Sequence, residues 1–247
     1  MRWRLANTTE RSIRSVPKAG IIVLAAAFAL HVLWQAFEPT PQATGAALPA
    51  VPSERWLRVA SLGEPIALAQ ALTLYMQAFD NQPGVSIPYR DLDYTAVLAW
   101  LKAIVALDPR TQYPLMMAAQ LYAQVPDEVK TRRMLDFVQQ EFLHAPDQRW
   151  RWLAHAALIA KHRLHDMPLA LRYADDITRH ARSAQNWARQ MRIFILEDMG
   201  ESHAAAVLLG GLLESGEVID PAEIRFLTER LEKLKADEIS ALSSKSR

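Results

Sequence analysis

The chain has 247 residues with balanced charge, 28 Lys and Arg against 27 Asp and Glu, and 51% of its residues are hydrophobic. This composition is typical of a folded protein and excludes an intrinsically disordered one. The chain contains no cysteine, which excludes disulfide scaffolds, thiolate metal sites and cysteine nucleophiles. Because Gly is scarce while Ala and Leu are abundant, the composition favours an all-α fold.

Basic side chains are concentrated at the N-terminus. Residues 1–37 hold five of them and a single acidic side chain, Glu10, which leaves 23 basic and 26 acidic side chains for the remainder. A slightly negative domain lacks the positive field that nucleic-acid binding requires. We therefore expect no nucleic-acid partner.

An apolar segment follows the basic cluster. Residues 19–37 are apolar except for His31 and Gln35, and the next basic residue is Arg55. Nineteen helical residues span about 28 Å, close to the ~30 Å hydrocarbon core of a bilayer. This length predicts one transmembrane helix at 19–37, in contact with the lipid bilayer. The positive-inside rule places the basic tail at 1–18 in the cytoplasm and the rest of the chain on the other side of the membrane.

A cleaved signal peptide is the alternative interpretation, and it would release a soluble periplasmic binding protein. The apolar region of a signal peptide normally has about 7–15 residues before a small-x-small cleavage site. The present segment is longer, and residues 35–40 make a poor site, although the Ala-rich residues 43–50 offer a later one. We therefore expect a retained anchor, followed by a Pro- and Ala-rich linker at 38–53.

Pro and Gly turns divide the remaining chain into helices. Ser61 and Glu64 have the spacing of a capping box, and Asp220-Pro221 predicts the start of the last helix. We divide this part into a helical repeat domain, 54–220, and a C-terminal capping helix and tail, 221–247. The predicted helices lie near 61–79, 93–107, 112–124, 127–143, 149–164, 167–181, 185–198, 202–214 and 221–240.

Short connections between so many helices favour hairpins stacked as a repeat. Val97, Leu101 and Ile104 share a helix face with the offsets of the second helix of a tetratricopeptide repeat (TPR). The Val97 position recurs after 34, 39 and 35 residues, at Thr131, Ala170 and Ala205. Small residues at such a position let the two helices of a hairpin approach closely. An unrelated α-helical bundle with the same spacing is the alternative.

Residues 56–215 resemble a group of bacterial membrane-associated TPR proteins. The resemblance is carried by residues 57–63, 67–79 and 101–109, by Trp150 with Asp166, and by Trp187 with Gly200. The resemblance implies a helical-repeat scaffold on the envelope side of the membrane. Together with the orientation given by the positive-inside rule, it leads us to expect a TPR-like α-solenoid of helical hairpins on the periplasmic side of the bacterial inner membrane, acting as a scaffold that binds a protein of the cell envelope. The sequence departs from the group at Ala156-Ala157, which replace a Leu-Gly pair, and at His165, which replaces a turn glycine.

Residue patterns for catalysis or metal binding are weak. His162 and His165 lie three residues apart, but Lys161 and Arg163 flank them and no third ligand recurs at a fixed spacing. Carboxylate pairs lie in amphipathic helices beside Arg, where surface ion pairs explain them. The sequence has no Gly-rich phosphate loop and no hydrolase or zinc-protease motif. We expect no catalytic residue, metal or cofactor, and a helical-repeat enzyme is the least favoured alternative.

Candidate binding residues follow from the repeat register. In a TPR-like array, positions 2, 5, 9 and 12 of each first helix line the concave surface. Position 2 is aromatic in three successive units, which suits a peptide or helix bound in a groove, whereas packing of the same rings as core is the alternative. The sequence does not identify the protein partner. The candidate groove residues are Tyr113, Met116, Gln120, Trp152, His155, Ile159, His162, Trp187, Gln190 and Phe194.

Overall fold

The computed structural model describes residues 17–37 and 45–245, with side chains described as far as residue 236. The chain divides into two compact units, residues 1–44 and residues 45–247. Residues 1–16 of the predicted cytoplasmic tail and residues 38–44 of the predicted linker lie outside the described residues.

The described residues of the first unit form one apolar helix, α1 (Lys18–Phe37). Its mean hydropathy is 2.0, and the unit buries none of its side chains. Among the described residues, α1 is the one helix long and apolar enough to cross a membrane, a property that N-terminal signal sequences share. The structure therefore confirms the predicted apolar helix at 19–37.

The second unit is helical, and the all-α prediction is confirmed for the described residues. The predicted loop at 80–90 contains a small antiparallel hairpin, β1 (Asn81–Gln82) and β2 (Val85–Ser86), in which Gln82 pairs with Val85. The helices are α2 (Glu54–Ala60), α3 (Pro65–Ala78), α4 (Tyr94–Leu107), α5 (Tyr113–Met116), α6 (Glu128–His144), α7 (Pro146–His162), α8 (Met167–His180), α9 (Asn186–Asp198), α10 (Ser202–Glu214) and α11 (Pro221–Lys245).

From α3 onward, helices that follow one another in the chain pack against each other. One apolar core extends from α3 to α9, and a second joins α9, α10 and α11. The recurring position predicted from sequence is buried at each of its four occurrences. No more than 2% of the residue is exposed at Val97, Thr131, Ala170 and Ala205. These residues lie in the first half of the buried faces of α4, α6, α8 and α10.

Aspartate N-caps recur along the chain at the same intervals of 34 and 39 residues. Asp93, Asp127 and Asp166 cap α4, α6 and α8, each accepting a backbone N–H bond of 2.8–3.0 Å from the first turn. Each cap precedes the recurring buried position by four residues. A carboxylate at this place satisfies an otherwise unpaired N–H group and favours the helix start. Asp220 caps α11 in the same way, as the sequence predicted.

The predicted capping box at Ser61 and Glu64 is wrong. Ser61 ends α2, and its hydroxyl donates to the carbonyl of Arg58 at 2.7 Å. Gly63 follows with φ +90°, a left-handed conformation that interrupts a helix. The helix predicted from residue 61 therefore starts at Pro65, and Glu64 makes no side-chain cap bond.

Two further segments differ from the sequence-based prediction. The single helix predicted at 112–124 is divided into α5, a π-helical turn (Met117–Leu121) and a 3-10 turn (Tyr122–Gln124). Residues 45–53 of the predicted linker pack on the helical domain. The indole N–H of Trp100 donates to the carbonyl of Pro49 at 2.8 Å, and the Gln82 amide exchanges two hydrogen bonds with the backbone of Ala46.

Candidate functional site

Two tryptophans at the start of α7 point in different directions. Residues two apart on an α-helix are separated by about 200° around its axis. Trp150 is therefore directed into the core, where 5% of the residue is exposed, while Trp152 lies half-buried beside the start of α5. The indole N–H of Trp152 donates to Oε1 of Gln112 at 2.8 Å, which holds this ring in place.

Trp187 lies on the first turn of α9 and packs against Trp150. The two rings meet edge to face with their centroids 5.6 Å apart. The indole N–H of Trp187 donates to Oε1 of Gln185 at 2.8 Å, yet half of the residue is exposed. Trp187 therefore presents a large exposed aromatic ring that packs against the buried ring of Trp150.

Asp147 connects the start of α7 to the turn before α9. Its carboxylate accepts the backbone N–H of Ser183 at 2.8 Å, and the Ser183 hydroxyl donates to the Asp147 carbonyl at 2.7 Å. The backbone bond from Ser183 is the main cause that lowers the pKa of Asp147 below its ordinary value. The carboxylate therefore remains charged at neutral pH.

Apart from Trp187, which contacts the Trp150 ring, these groups line a pocket of about 420 Å³, which we call the tryptophan pocket. Arg151 adds a guanidinium 5.3 Å from the Trp150 ring centroid, in cation–π geometry. Aromatic walls with a few hydrogen-bonding groups can hold an apolar side chain and the polar backbone around it. The lining residues are Gln112, Asp147, Gln148, Trp150, Arg151, Trp152, Ser183 and Gln185.

The ten candidate groove residues differ in exposure. Ile159 and Gln190 are buried, and the Gln190 amide donates to Glu223 on α11 at 2.6 Å. Both are core residues, so we leave them out of any binding surface. Tyr113, Gln120, His162 and Trp187 are exposed, whereas Met116, Trp152, His155 and Phe194 are half-buried.

The His155 side chain is partly buried in the domain. Its Nε2 atom is buried and has no hydrogen-bond partner among the described residues. Burial also lowers the pKa of its imidazole, so the ring is neutral at pH 7. His155 therefore contributes packing volume more than a charged binding group.

Position 2 of the three units corresponds to Tyr113, Trp152 and Trp187, and the structure places Trp152 and Trp187 next to Trp150. Trp152 lines the tryptophan pocket, and Trp187 packs edge to face against Trp150, which lines the same pocket. Tyr113 lines a different pocket of about 310 Å³, which it shares with Leu74 and other residues of α3. Gln112 and Asp147 were not predicted as site residues, because their roles depend on contacts with residues 40 and 36 positions away.

The described residues contain no group of three His, Asp or Glu side chains arranged to hold a metal ion. His162 and His165 flank the end of α7, and both are exposed.

Comparison of the chain with protein-family models, curated proteins and solved structures finds no match.

Proposed function

We propose that this protein is a membrane-anchored scaffold, whose TPR-like stack of helical hairpins binds a protein partner on the periplasmic face of the bacterial inner membrane. In this proposal, α1 crosses the bilayer and the tryptophan pocket receives the partner. The pocket is the observation that carries the binding function.

Three regularities support a TPR-like stack. The recurring buried position and the aspartate N-caps that precede its first three occurrences follow the same repeat of 34–39 residues, and successive helices pack against each other. The turns that close α7 and α9 also correspond, because His165 and Gly200 lie 35 residues apart and have φ +50° and +80°. Small buried residues at Ala170 and Ala205 suit the close helix approach that such hairpins require.

The tryptophan pocket suits protein recognition. Binding hot spots are enriched in Trp and Arg that lie next to desolvated pockets. Trp187 is half exposed, but its contact with Trp150 and its bond to Gln185 already restrict the ring. A restricted aromatic side chain loses little conformational entropy on binding. The partner that fits is an extended or helical segment that offers one apolar side chain with hydrogen-bonding groups around it.

The ionisable groups of the tryptophan pocket are better suited to a binding role than to a catalytic role. A general acid at neutral pH needs a raised pKa, which burial or a like charge supplies. Bonds from Ser183 lower the pKa of Asp147 instead. Arg151 lies over Trp150, where it adds to the recognition surface.

The anchor proposal rests on α1. A 20-residue helix with mean hydropathy 2.0 is long enough to cross the hydrocarbon core, and a bilayer would cover the apolar side chains that the unit leaves exposed. If the segment is cleaved instead, the same pocket belongs to a soluble periplasmic binding protein.

Site-specific photo-crosslinking in cells tests the binding proposal. The full-length chain carries a benzophenone amino acid at position 187, at position 148 on the rim of the pocket, or at position 226 as the control. Phe226 is exposed to the same degree as Trp187 but belongs to α11. We expect one discrete protein adduct from positions 187 and 148 and none from position 226. Adducts of the same size and yield from all three positions would contradict a specific site.

A further inference from the structure

Two glutamine side chains of the tryptophan pocket are oriented by tryptophan. Oε1 of Gln112 accepts the indole N–H of Trp152, and Oε1 of Gln185 accepts that of Trp187, both at 2.8 Å. An indole nitrogen can only donate, so each bond fixes which end of the amide meets the ring and leaves its NH2 group as a donor. The NH2 group of Gln112 bonds the carbonyl of Arg110 at 3.3 Å, and that of Gln185 has no acceptor among the described residues.

The acceptor groups of the pocket are largely occupied. The two amide oxygens accept the indole N–H groups, and one carboxylate oxygen of Asp147 accepts the backbone N–H of Ser183. Gln148 adds one donor group and one acceptor, and Arg151 adds a guanidinium, which can only donate. A pocket with more available donors than acceptors is complementary to a ligand that supplies acceptors, such as carboxylate and carbonyl oxygens.

The three chain segments that form the pocket also carry an excess of positive charge. Within residues 109–113, 147–152 and 182–187, the acidic residue is Asp147 and the basic residues are Arg110, Arg149, Arg151 and Arg182. Arg149 is buried and paired with Glu141. The other three arginines are exposed and form no ion pair among the described residues. Because residues 38–247 carry 23 basic and 26 acidic side chains, this positive charge is a local feature.

The backbone contacts place the three exposed arginines at the pocket. Arg151 lines it, and the Arg110 carbonyl is bonded to a lining amide. Arg182 precedes Ser183, and after the bond from Ser183 its charge is a further cause that lowers the pKa of Asp147. Asp108, the next acidic residue, lines the pocket of Tyr113 instead. Direct contact is not required for attraction, since charges act over a Debye length of about 8 Å at physiological ionic strength.

We propose that the tryptophan pocket binds an acidic segment of the protein partner, in which Asp or Glu residues flank one apolar side chain. This inference deepens the proposed binding function and rests on it. The apolar side chain packs beside Trp152 and on the exposed ring of Trp187, while the guanidinium and amide donors bond carboxylates and backbone carbonyls. Charges around such a site accelerate association with acidic segments and select against basic ones.

Charge substitution in the photo-crosslinking experiment tests this inference. The full-length chain carries the benzophenone amino acid at position 148 together with Arg110→Gln, Arg151→Gln and Arg182→Gln. A second protein has Lys at these three positions, which keeps the charge. The control carries Arg55→Gln, Arg172→Gln and Arg225→Gln, because these arginines are also exposed and Arg172 lies over the Tyr173 ring as Arg151 lies over that of Trp150. Thermal melts establish that each protein is folded, and mass spectrometry identifies the crosslinked partner segment.

We expect the Gln protein to lose the adduct by about tenfold, while the Lys and control proteins retain it. The partner sequence within a few residues of the crosslink should contain more Asp and Glu than Lys and Arg. An adduct of unchanged yield in the Gln protein would overturn the acidic ligand and leave the binding site standing. No adduct from position 148 or position 187 of the unsubstituted chain would overturn the proposed function and this inference with it.

Two further outcomes would also overturn the inference. A loss in the Lys protein as large as in the Gln protein would show that positive charge is not what holds the partner. An adduct that nuclease treatment removes would identify a nucleic acid as the ligand.

Discussion

Arg149 forms a buried ion pair with Glu141, at 2.7 Å from Nη1 to Oε2, and only 2% of the Arg149 side chain is exposed. The same guanidinium donates to the carbonyls of Glu141 and Pro109, both at 2.7 Å. One side chain at the start of α7 therefore binds the end of α6 and the turn after α4. Trp150, the next residue, forms the back wall of the tryptophan pocket.

We expect Arg149→Ala to lower the free energy of unfolding by about 3–5 kcal/mol, because the buried Glu141 carboxylate loses its partner. The double variant Arg149→Met with Glu141→Leu should recover much of this loss, since it removes both buried charges together. Urea unfolding of the three proteins measures the difference. A double variant as unstable as Arg149→Ala would contradict the role of the unpaired charge.

Trp150 and Trp187 should respond differently to truncation. Trp150→Ala removes a buried ring and is expected to lower the free energy of unfolding by about 3–5 kcal/mol. Trp187→Ala removes a half-exposed ring, so the melting temperature should change little while partner capture in the crosslinking experiment at position 148 is lost. Thermal melts followed by circular dichroism provide the stability values. Equal destabilisation by both variants would assign Trp187 to the core.

Asp166 combines an N-cap with an ion pair to Arg132, 34 residues earlier in the chain, at 2.6 Å. We expect Asp166→Ala to cost about 1–2 kcal/mol, and Asp166→Asn to cost less because asparagine also caps helices. The bond from Arg132 is the main cause that lowers the pKa of Asp166 below 3.8. A lowered pKa stabilises the folded state above the unfolded value, and this contribution is lost as the pH falls through the lowered pKa.

The stability difference between the wild-type protein and Asp166→Asn should therefore be present at pH 7 and shrink at pH 3. Urea midpoints at the two pH values measure it. A difference that is unchanged at pH 3 would show that the charge of Asp166 contributes nothing.

His165 adopts φ +50° in the turn between α7 and α8, where the backbone N–H of Asp166 bonds the carbonyl of Ala160 at 2.9 Å. A left-handed conformation costs a residue with a Cβ atom about 1–2 kcal/mol relative to glycine. We expect His165→Gly to be about 1 kcal/mol more stable than His165→Ala, the reverse of their order inside a helix. Thermal unfolding of the pair is the measurement. A more stable alanine variant would exclude strain at this turn.

Retention of α1 is a prediction about the mature protein. We expect protein extracted from membranes to have the intact mass of a chain that includes residues 18–37, because the apolar segment is longer than that of an ordinary signal peptide. Mass spectrometry of the purified, untagged protein measures this. A mature start near residues 44–50 would establish cleavage and favour the soluble binding protein.

Local sequence signals were sufficient for most of the helices and for much of the core, although α2 and the division of residues 112–124 were not predicted. Val97, Thr131, Ala170 and Ala205 were identified from spacing alone, and all are buried. A periodic apolar face can be recognised in the sequence, because the residues that are buried on one side of a helix are only three or four positions apart. The Pro and Gly turns likewise located most helix ends to within a few residues. The interruption at Gly63 was missed because Ser61 and Glu64 have the spacing of a capping box whether or not a left-handed residue lies between them.

Tertiary structure decided which side chains reach the surface. The repeat register predicts Trp152, Ile159, Trp187 and Gln190 on one concave surface. In the structure Trp187 is half exposed, whereas Ile159 and Gln190 are buried. The difference comes from neighbours far along the chain, since Glu223 covers Gln190 and Trp150 supports Trp187. The sequence by itself determined most of the helices, the recurring buried positions and the apolar N-terminal helix, because those depend on contacts within a few turns. Only the tertiary structure determined the tryptophan pocket, because its walls come from residues 36–40 positions apart.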